Sequence, residues 1–180
     1  MSLQGESSRQ SKFIADGMLG KLARWLRLLG YDVEYCKDLS DEKLVELAKN
    51  SCRVLLTKDF ELYRRAKFAG VEVLMLRGAN LEEDLAQLAA IGLIKIEVDF
   101  ENTRCPVCNH PLKAISREEF LKITSLSIPS DNDRFWICSH CGKLYWIGKH
   151  WKSIKARLLK ARRLARHEST KSLEVEFSYY

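Results

Sequence analysis

The chain has 180 residues, of which 46% are hydrophobic and 30% charged, with a formal net charge of +6. That apolar content is enough for one ordinary core plus a small module, and it excludes a disordered polypeptide. The opening MSLQGESSRQSK has no apolar run and reads as an expression scar or frayed end, and no segment is apolar enough to span a bilayer, so a cytoplasmic protein without membrane insertion is expected.

From residue 12 onward, short β-rich runs alternate with helical patterns. Residues 13–15 read as a strand, after which Met18, Leu19, Leu22, Leu26 and Leu29 form an apolar stripe at helical spacing, closed by Gly30. A second strand is expected over 32–36. Ser40 then caps a helix with Leu44, Leu47 and Ala48 inward, and 53–57 (RVLLT) has the unbroken apolar character of a buried parallel strand. A helix over 60–69 ends at Gly70, followed by a strand over 71–76 and a helix over 81–91 with Leu81, Leu85 and Leu88 inward. Residues 94–98 read as a fifth strand. Strands and helices in alternation, with short connections, predict an α/β fold: a parallel sheet flanked by helices. Cys36 and Cys52, beside apolar segments, read as buried free thiols.

A composition shift at 101–104 opens a second module, whose cysteines Cys105, Cys108, Cys138 and Cys141 follow a C-x2-C-x29-C-x2-C spacing. Two such pairs complete the tetrahedral sulfur shell of a structural Zn²⁺, and a site with all four positions taken has no opening for substrate. His140, inside CSHC, is not needed as a ligand. Residues 134–137 and 144–147 read as a hairpin whose turn carries Cys138 and Cys141, which makes the module a zinc ribbon, while 115–129 holds a short helix or a loop. Trp136 and Tyr145 suit the core of so small a module; His150 and Trp151, at its exit, suit RNA contact.

The basicity is concentrated at the end. Residues 149–171 carry nine Lys/Arg against one acid, Glu168, an excess of eight charges that leaves −2 for the remainder. With Ile154, Leu158, Leu159 and Leu164 among the cations, residues 149–167 read as a basic amphipathic helix with RNA as the favoured partner; its apolar face lacks the aromatics of an interfacial membrane anchor. Residues 172–180 read as a short strand or an unstructured end. Three units follow: 12–100, 101–151 and a helical tail over 152–180.

In an open parallel sheet, ligands bind beyond the carboxyl ends of the strands. Three aspartates stand there, Asp16, Asp41 and Asp59. Each alone is explained by helix capping. Together, carboxylates converging on one rim repel, and a Mg²⁺ or Mn²⁺ ion that accepts their oxygens relieves the repulsion and recruits phosphate. Arg24 and Arg27, one turn apart, with Lys21 and Lys58 near the same rim, suit a phosphate grip, although a solvated helix face accounts for them equally.

The segments FIADGMLGKLARWLRLLGYDV, SDEKLVELAKN, RVLLTKDFEL, RCPVCN and WICSHCGKLYWIGKHW occur in the order seen in the Mut-seven C-terminal ribonuclease domain family, which the chain resembles: PIN-like nucleases with a C-terminal zinc ribbon. The resemblance implies a PIN-like α/β fold for the nuclease unit with an acidic, divalent-metal-dependent ribonuclease site, and the leading reading is cleavage of single-stranded or unpaired RNA. It carries Asp16, Asp41 and Asp59 over as catalytic, metal-holding acids, and it supports Arg24 and Arg27 as substrate contacts. A fourth acid is open among Asp38, Glu82, Glu83, Asp84 and Asp99, as is a three-acid site that leans on phosphate oxygens. The competing reading is a non-catalytic RNA-binding adaptor that uses the ribbon and the tail.

Overall fold

The structure, a computed structural model, describes residues 11–124 and 134–177, with side chains described as far as 167. Strands β1 (Phe13–Ala15), β2 (Val33–Tyr35), β3 (Val54–Thr57) and β4 (Val73–Met75) form a wholly parallel sheet in the order β2-β1-β3-β4. Helices α1 (Gly20–Leu28), α2 (Asp41–Ser51) and α3 (Phe60–Phe68) make the crossovers, and α4 (Leu81–Ala90) follows β4. Side chains alternate across the sheet as a pleated backbone requires: Phe13, Ala15, Val54 and Leu56 pack toward α1 and α4, while Ile14 and Leu55 pack toward α2 and α3. This is the α/β sheet flanked by helices that the β–α alternation predicts.

Each crossover ends where its sequence stops supporting a helix. At the end of α1, Gly30 adopts φ +95°, its N–H donates to Arg27 O and the Tyr31 N–H reaches Leu26 O, so the last carbonyls are capped. A Cβ at Gly30 would also stand 3.1 Å from the Asn102 carbonyl, so the close approach of the second module favours glycine as well.

The second module is a three-stranded antiparallel sheet of β5 (Lys113–Ile115), β6 (Phe135–Ile137) and β7 (Leu144–Trp146), in the order β5-β6-β7. The hairpin β6–β7 is the one expected from the cysteine spacing. Residues 115–129 supply the end of β5 and a short helix α5 (Arg117–Ile123), which opens with a capping box between Ser116 and Glu119; positions 125–129 lie outside the described residues. A last helix, α6 (Trp151–Phe177), packs on α4, burying Leu158 and Ala161, with Arg157 on Glu82 at 2.9 Å and Arg162 Nε donating to Ile96 O at 2.5 Å. No helix among the described residues is long and apolar enough to cross a membrane.

Four expectations are corrected. Residues 94–98 join no ladder: Ile94 and Ile96 are buried, but Lys95 N–H donates to the Tyr31 hydroxyl at 2.6 Å and Ile96 O is taken by Arg162, so side chains satisfy the backbone in place of a fifth strand. Residues 172–177 continue α6 instead of forming a strand, and 178–180 lie outside the described residues. Cys52 is exposed in a left-handed turn after α2, and Cys36 is only partly buried.

The fourth concerns Arg27. Its side chain is 5% exposed and faces the protein interior: Nε and one terminal nitrogen donate to Val33 O at 3.0 and 2.8 Å, and the other donates to Pro106 O and Val107 O at 3.0 and 3.1 Å. Asn109 reaches back, accepting from Val33 N at 3.0 Å and donating to Asp32 at 2.7 Å. The first cysteine turn is thereby fastened over the edge strand β2, and a guanidinium so buried and engaged is not presented to phosphate.

Arg27→Met would leave three carbonyls short of a donor. It is expected to lower the unfolding free energy by about 3 kcal/mol, against under about 0.5 kcal/mol for Arg24→Gln on the exposed face of the same helix. Urea denaturation of the zinc-loaded chain measures both, and an Arg27→Met chain as stable as the parent contradicts the fastening role.

Candidate active site and metal centre

The central strands β1 and β3 are neighbours, and the residues that leave their carboxyl ends bring two acids together. Asp16 follows Ala15 in extended conformation and caps a 3-10 turn, its Oδ1 accepting from Met18 N at 2.9 Å. Its Oδ2 accepts a short hydrogen bond from the hydroxyl of Thr57, the fully buried last residue of β3. The same hydroxyl oxygen accepts the Asp59 N–H at 2.9 Å. Asp59 in turn caps α3, with Oδ1 taking Glu61 N at 2.7 Å and Leu62 N at 3.1 Å. Thr57 therefore ties a buried carboxylate, Asp16, to the start of an exposed one, Asp59. Among the described residues, neither acid has an ion pair with Lys or Arg.

Asp41 stands apart from that pair. It opens α2 on the β2 side, partly exposed, with its carboxylate 3.9 Å from Arg65 Nε. Among the described residues, the three aspartates do not draw together into one compact donor group.

Of the five acids open as a fourth member, Asp84 lies at this end of the sheet, in the first turn of α4 after β4. Its Oδ2 is 2.9 Å from Lys58 Nζ, which also donates to Gly78 O at 2.6 Å. Burial pushes the Asp84 carboxyl upward, and Lys58 opposes that shift. A Cβ at Gly78 would meet the Asp84 amide and carboxylate at 2.6 Å, so the loop closes over Asp84 only with glycine there. Glu82 is paired with Arg157, Glu83 accepts from Ala79 N and Asn80, Asp99 closes its own turn with Glu101 and Asn102, and Asp38 is exposed in the loop before α2.

The remaining basic and aromatic positions divide by exposure. Arg24 and Lys21 are exposed on α1, Lys58 is held by Asp84, and Arg27 is buried. His150 is exposed, while Trp151 is half-buried with its ring 5.3 Å from Phe100. Thr57 is the participant that a reading of charged residues overlooks. Its position directly before the K-D of LLTKD was the available signal.

The four cysteines form a second, separate centre. Their sulfurs all lie within 4.8 Å of one another, with Cys105–Cys141 at 3.7 Å and Cys108–Cys138 at 3.4 Å. A tetrahedral zinc with Zn–S bonds near 2.3 Å requires sulfurs about 3.8 Å apart, so the donor set fits that ion. The two cysteine turns share one geometry: Asn109 donates to Cys105 O and Gly142 to Cys138 O, both at 2.9 Å, and both residues have positive φ, 67° and 71°. Burial opposes ionisation of Cys105, but the Tyr145 hydroxyl at 3.1 Å and the N–H groups of Val107 and Cys108 outweigh it and hold the thiol down at about 6. Burial and the neighbouring sulfurs push Cys108 the other way, up to about 12. The quartet can therefore hold a metal such as zinc, and with four protein ligands such a metal is structural.

A family model described as the Mut7-C RNAse domain matches residues 11–158, a span that takes in both the acidic edge and the cysteine centre. No match was found among curated proteins or solved structures.

Purified chain is expected to carry one zinc, and cobalt in its place should show the intense visible bands of tetrahedral thiolate coordination. Chelation should abolish the near-UV circular dichroism of the ribbon's tryptophans. A metal-free chain with unchanged near-UV signal contradicts the assignment.

Proposed function

We propose, from the premise that the chain belongs to the Mut7-C RNAse domain family, that it is a divalent-metal-dependent ribonuclease hydrolysing phosphodiester bonds of single-stranded or unpaired RNA in the cytoplasm. Membership implies a ribonuclease-type function with RNA as substrate. The observation that carries the finer reading is the Asp16–Thr57–Asp59 network: two carboxylates held at the mouth of adjacent strands, with no cationic side chain paired to either among the described residues.

The donor set suits a hard cation. Oδ1 of Asp59 is spent on α3, which leaves Oδ2 free to face solvent, and each Asp16 oxygen accepts one hydrogen bond and keeps a second lone pair. A Mg²⁺ or Mn²⁺ held there supplies Lewis-acid stabilisation of the phosphate and lowers the pKa of water. Thr57 fixes the Asp16 carboxylate and cannot swing away, being fully buried. Asp41 adds a third, outer carboxylate, for which Arg65 competes. Water attacks phosphorus in line with the departing 3′-oxygen, which leaves with a proton and gives a 3′-hydroxyl and a 5′-phosphate.

Arg24 and Lys21, exposed one turn apart on α1, grip the phosphates of the strand, and His150 and Trp151 extend the contact onto the ribbon. Lys58 shapes the rim by neutralising Asp84 and contributes less to substrate than its position in LLTKD suggests. Residues 12–100 are the nuclease unit, 101–151 the zinc ribbon and 152–180 the basic helix. On α6, Lys152, Lys160 and Arg163 are exposed and suited to the RNA backbone.

Asp59→Asn keeps the capping geometry, because an amide oxygen caps as a carboxylate does, whereas Asp16→Asn keeps its cap but turns an amide donor toward the buried Thr57 hydroxyl in place of an acceptor. Each is expected to lower RNA cleavage in Mn²⁺ by about a thousandfold, Asp59→Asn with little change in melting temperature and Asp16→Asn with a modest drop. A variant that cuts at the parent rate contradicts the assignment, and a parent chain that binds RNA but never cuts it in Mg²⁺ or Mn²⁺ leaves the adaptor reading. Arg24→Gln is expected to raise KM several-fold with kcat nearly unchanged.

A further inference from the structure

All four tryptophans of the chain, Trp25, Trp136, Trp146 and Trp151, line one cleft of about 300 Å³ between α1, the zinc ribbon and the start of α6. They come from four separate elements or turns, so their convergence is not a product of local sequence. A small ribbon needs aromatics for its core, and Trp136 serves that purpose: it is buried, stacked on Phe100 at 5.6 Å, with its Nε1 donating to Phe100 O at 3.2 Å. The other three stay partly open, Trp146 at 39% exposure. Partly exposed aromatic rings gathered in one concavity mark a binding site more than a packing requirement.

The chemistry of the rim selects the occupant. Arg24 and Arg104 line the cleft, and Lys155 Nζ stands 6.0 Å from the centre of the Trp151 ring, so an aromatic-lined cleft is edged by positive charge. That combination suits a group with a planar, stackable face and an attached anion. The volume lies at the low end for ligand pockets and fits a single ring system better than a folded segment. Asp16 caps the turn that leads into α1, and Arg24 lies about 6 Å along the helix from Gly20. A strand leaving the acidic edge along α1 thus passes Arg24 and reaches the cleft within a few nucleotides.

Resting on the ribonuclease reading, we infer that this cleft is the stacking site for an unpaired base of the RNA strand, a few nucleotides from the position cut. The site does not read base identity. Four of its polar groups are spent internally: the Thr103 hydroxyl on Leu28 O at 3.0 Å, one Arg104 terminal nitrogen on Asn109 O at 2.9 Å, Tyr145 on Cys105 Sγ and the Trp136 N–H on Phe100 O. Stacking without edge contacts tolerates every base and rejects paired ones, because a base in a duplex has no free face to offer. Unpairedness is therefore selected by the cleft and not by the acidic site.

The test uses the full zinc-loaded chain carrying Asp59→Asn, so that the strand is bound and not cut, with short oligoadenylate and an abasic strand of equal length as probes. Oligoadenylate is expected to quench tryptophan fluorescence, and the abasic strand to bind about tenfold more weakly without quenching. Trp151→Leu should remove that tenfold advantage while leaving abasic binding unchanged, and Trp151→Phe should restore it. If Trp151→Leu loses zinc or its near-UV signal, Trp146→Leu at the more exposed wall serves in its place. Equal binding of the two strands, or equal weakening of both by the variant, overturns the inference. So does a dimer in sedimentation whose formation abolishes quenching, because the cleft then belongs to a second copy. Normal cutting of RNA by the parent together with equal binding of both strands sinks the cleft alone, whereas a parent that neither binds nor cuts RNA sinks the ribonuclease reading as well.

Discussion

One buried guanidinium holds the two modules in register. Arg27 projects from α1 and satisfies carbonyls of β2 and of the first cysteine turn at once, while Asn109 returns two hydrogen bonds from that turn to the strand. An arginine is suited to this because its planar fork spreads several donors over fixed directions, and burial makes each carbonyl left without one costly. The contact also protects β2, which as an edge strand would otherwise present open backbone. The position of the ribbon against α1, and so the tryptophan cleft, depends on it.

The acidic edge is a second consequence of the sheet order. With β1 and β3 adjacent, the residues leaving their ends are neighbours, and Thr57 converts that proximity into a fixed geometry. Capping and metal holding are usually set against each other as explanations for an aspartate at the start of a helix. Here they are compatible, because Asp59 caps α3 with one oxygen and keeps the other available. Capping supplies the rigidity that a preorganised site requires, as each bonded oxygen fixes the direction of its partner.

Much of this was legible in the chain. The cysteine spacing specified a closed tetrahedral site, because that chemistry depends on intervals a sequence displays directly, and the β–α alternation with RVLLT as a buried strand specified the sheet. The aspartates at the strand ends could be named as well. What was hidden was pairing. Arg24 and Arg27 look alike one turn apart, and only the docking of the ribbon makes one buried and leaves the other exposed. Lys58 reads as a phosphate ligand until Asp84 is placed beside it. Residues 94–98 have strand composition, but their backbone is satisfied by Tyr31 and Arg162, from distant parts of the chain. The basic stretch at 149–171 likewise displays its charge but not the contacts of Leu158 and Ala161 that bring it onto α4.

The proposed ribonuclease activity requires that the acidic edge seat a divalent cation. The most direct measurement is a crystal structure of the zinc-loaded chain soaked in Mn²⁺, with anomalous scattering collected at the manganese edge. The account predicts an anomalous peak about 2.1 Å from carboxylate oxygens of both Asp16 and Asp59, with waters completing the shell. Full occupancy of manganese elsewhere, with none between those two residues, would contradict it.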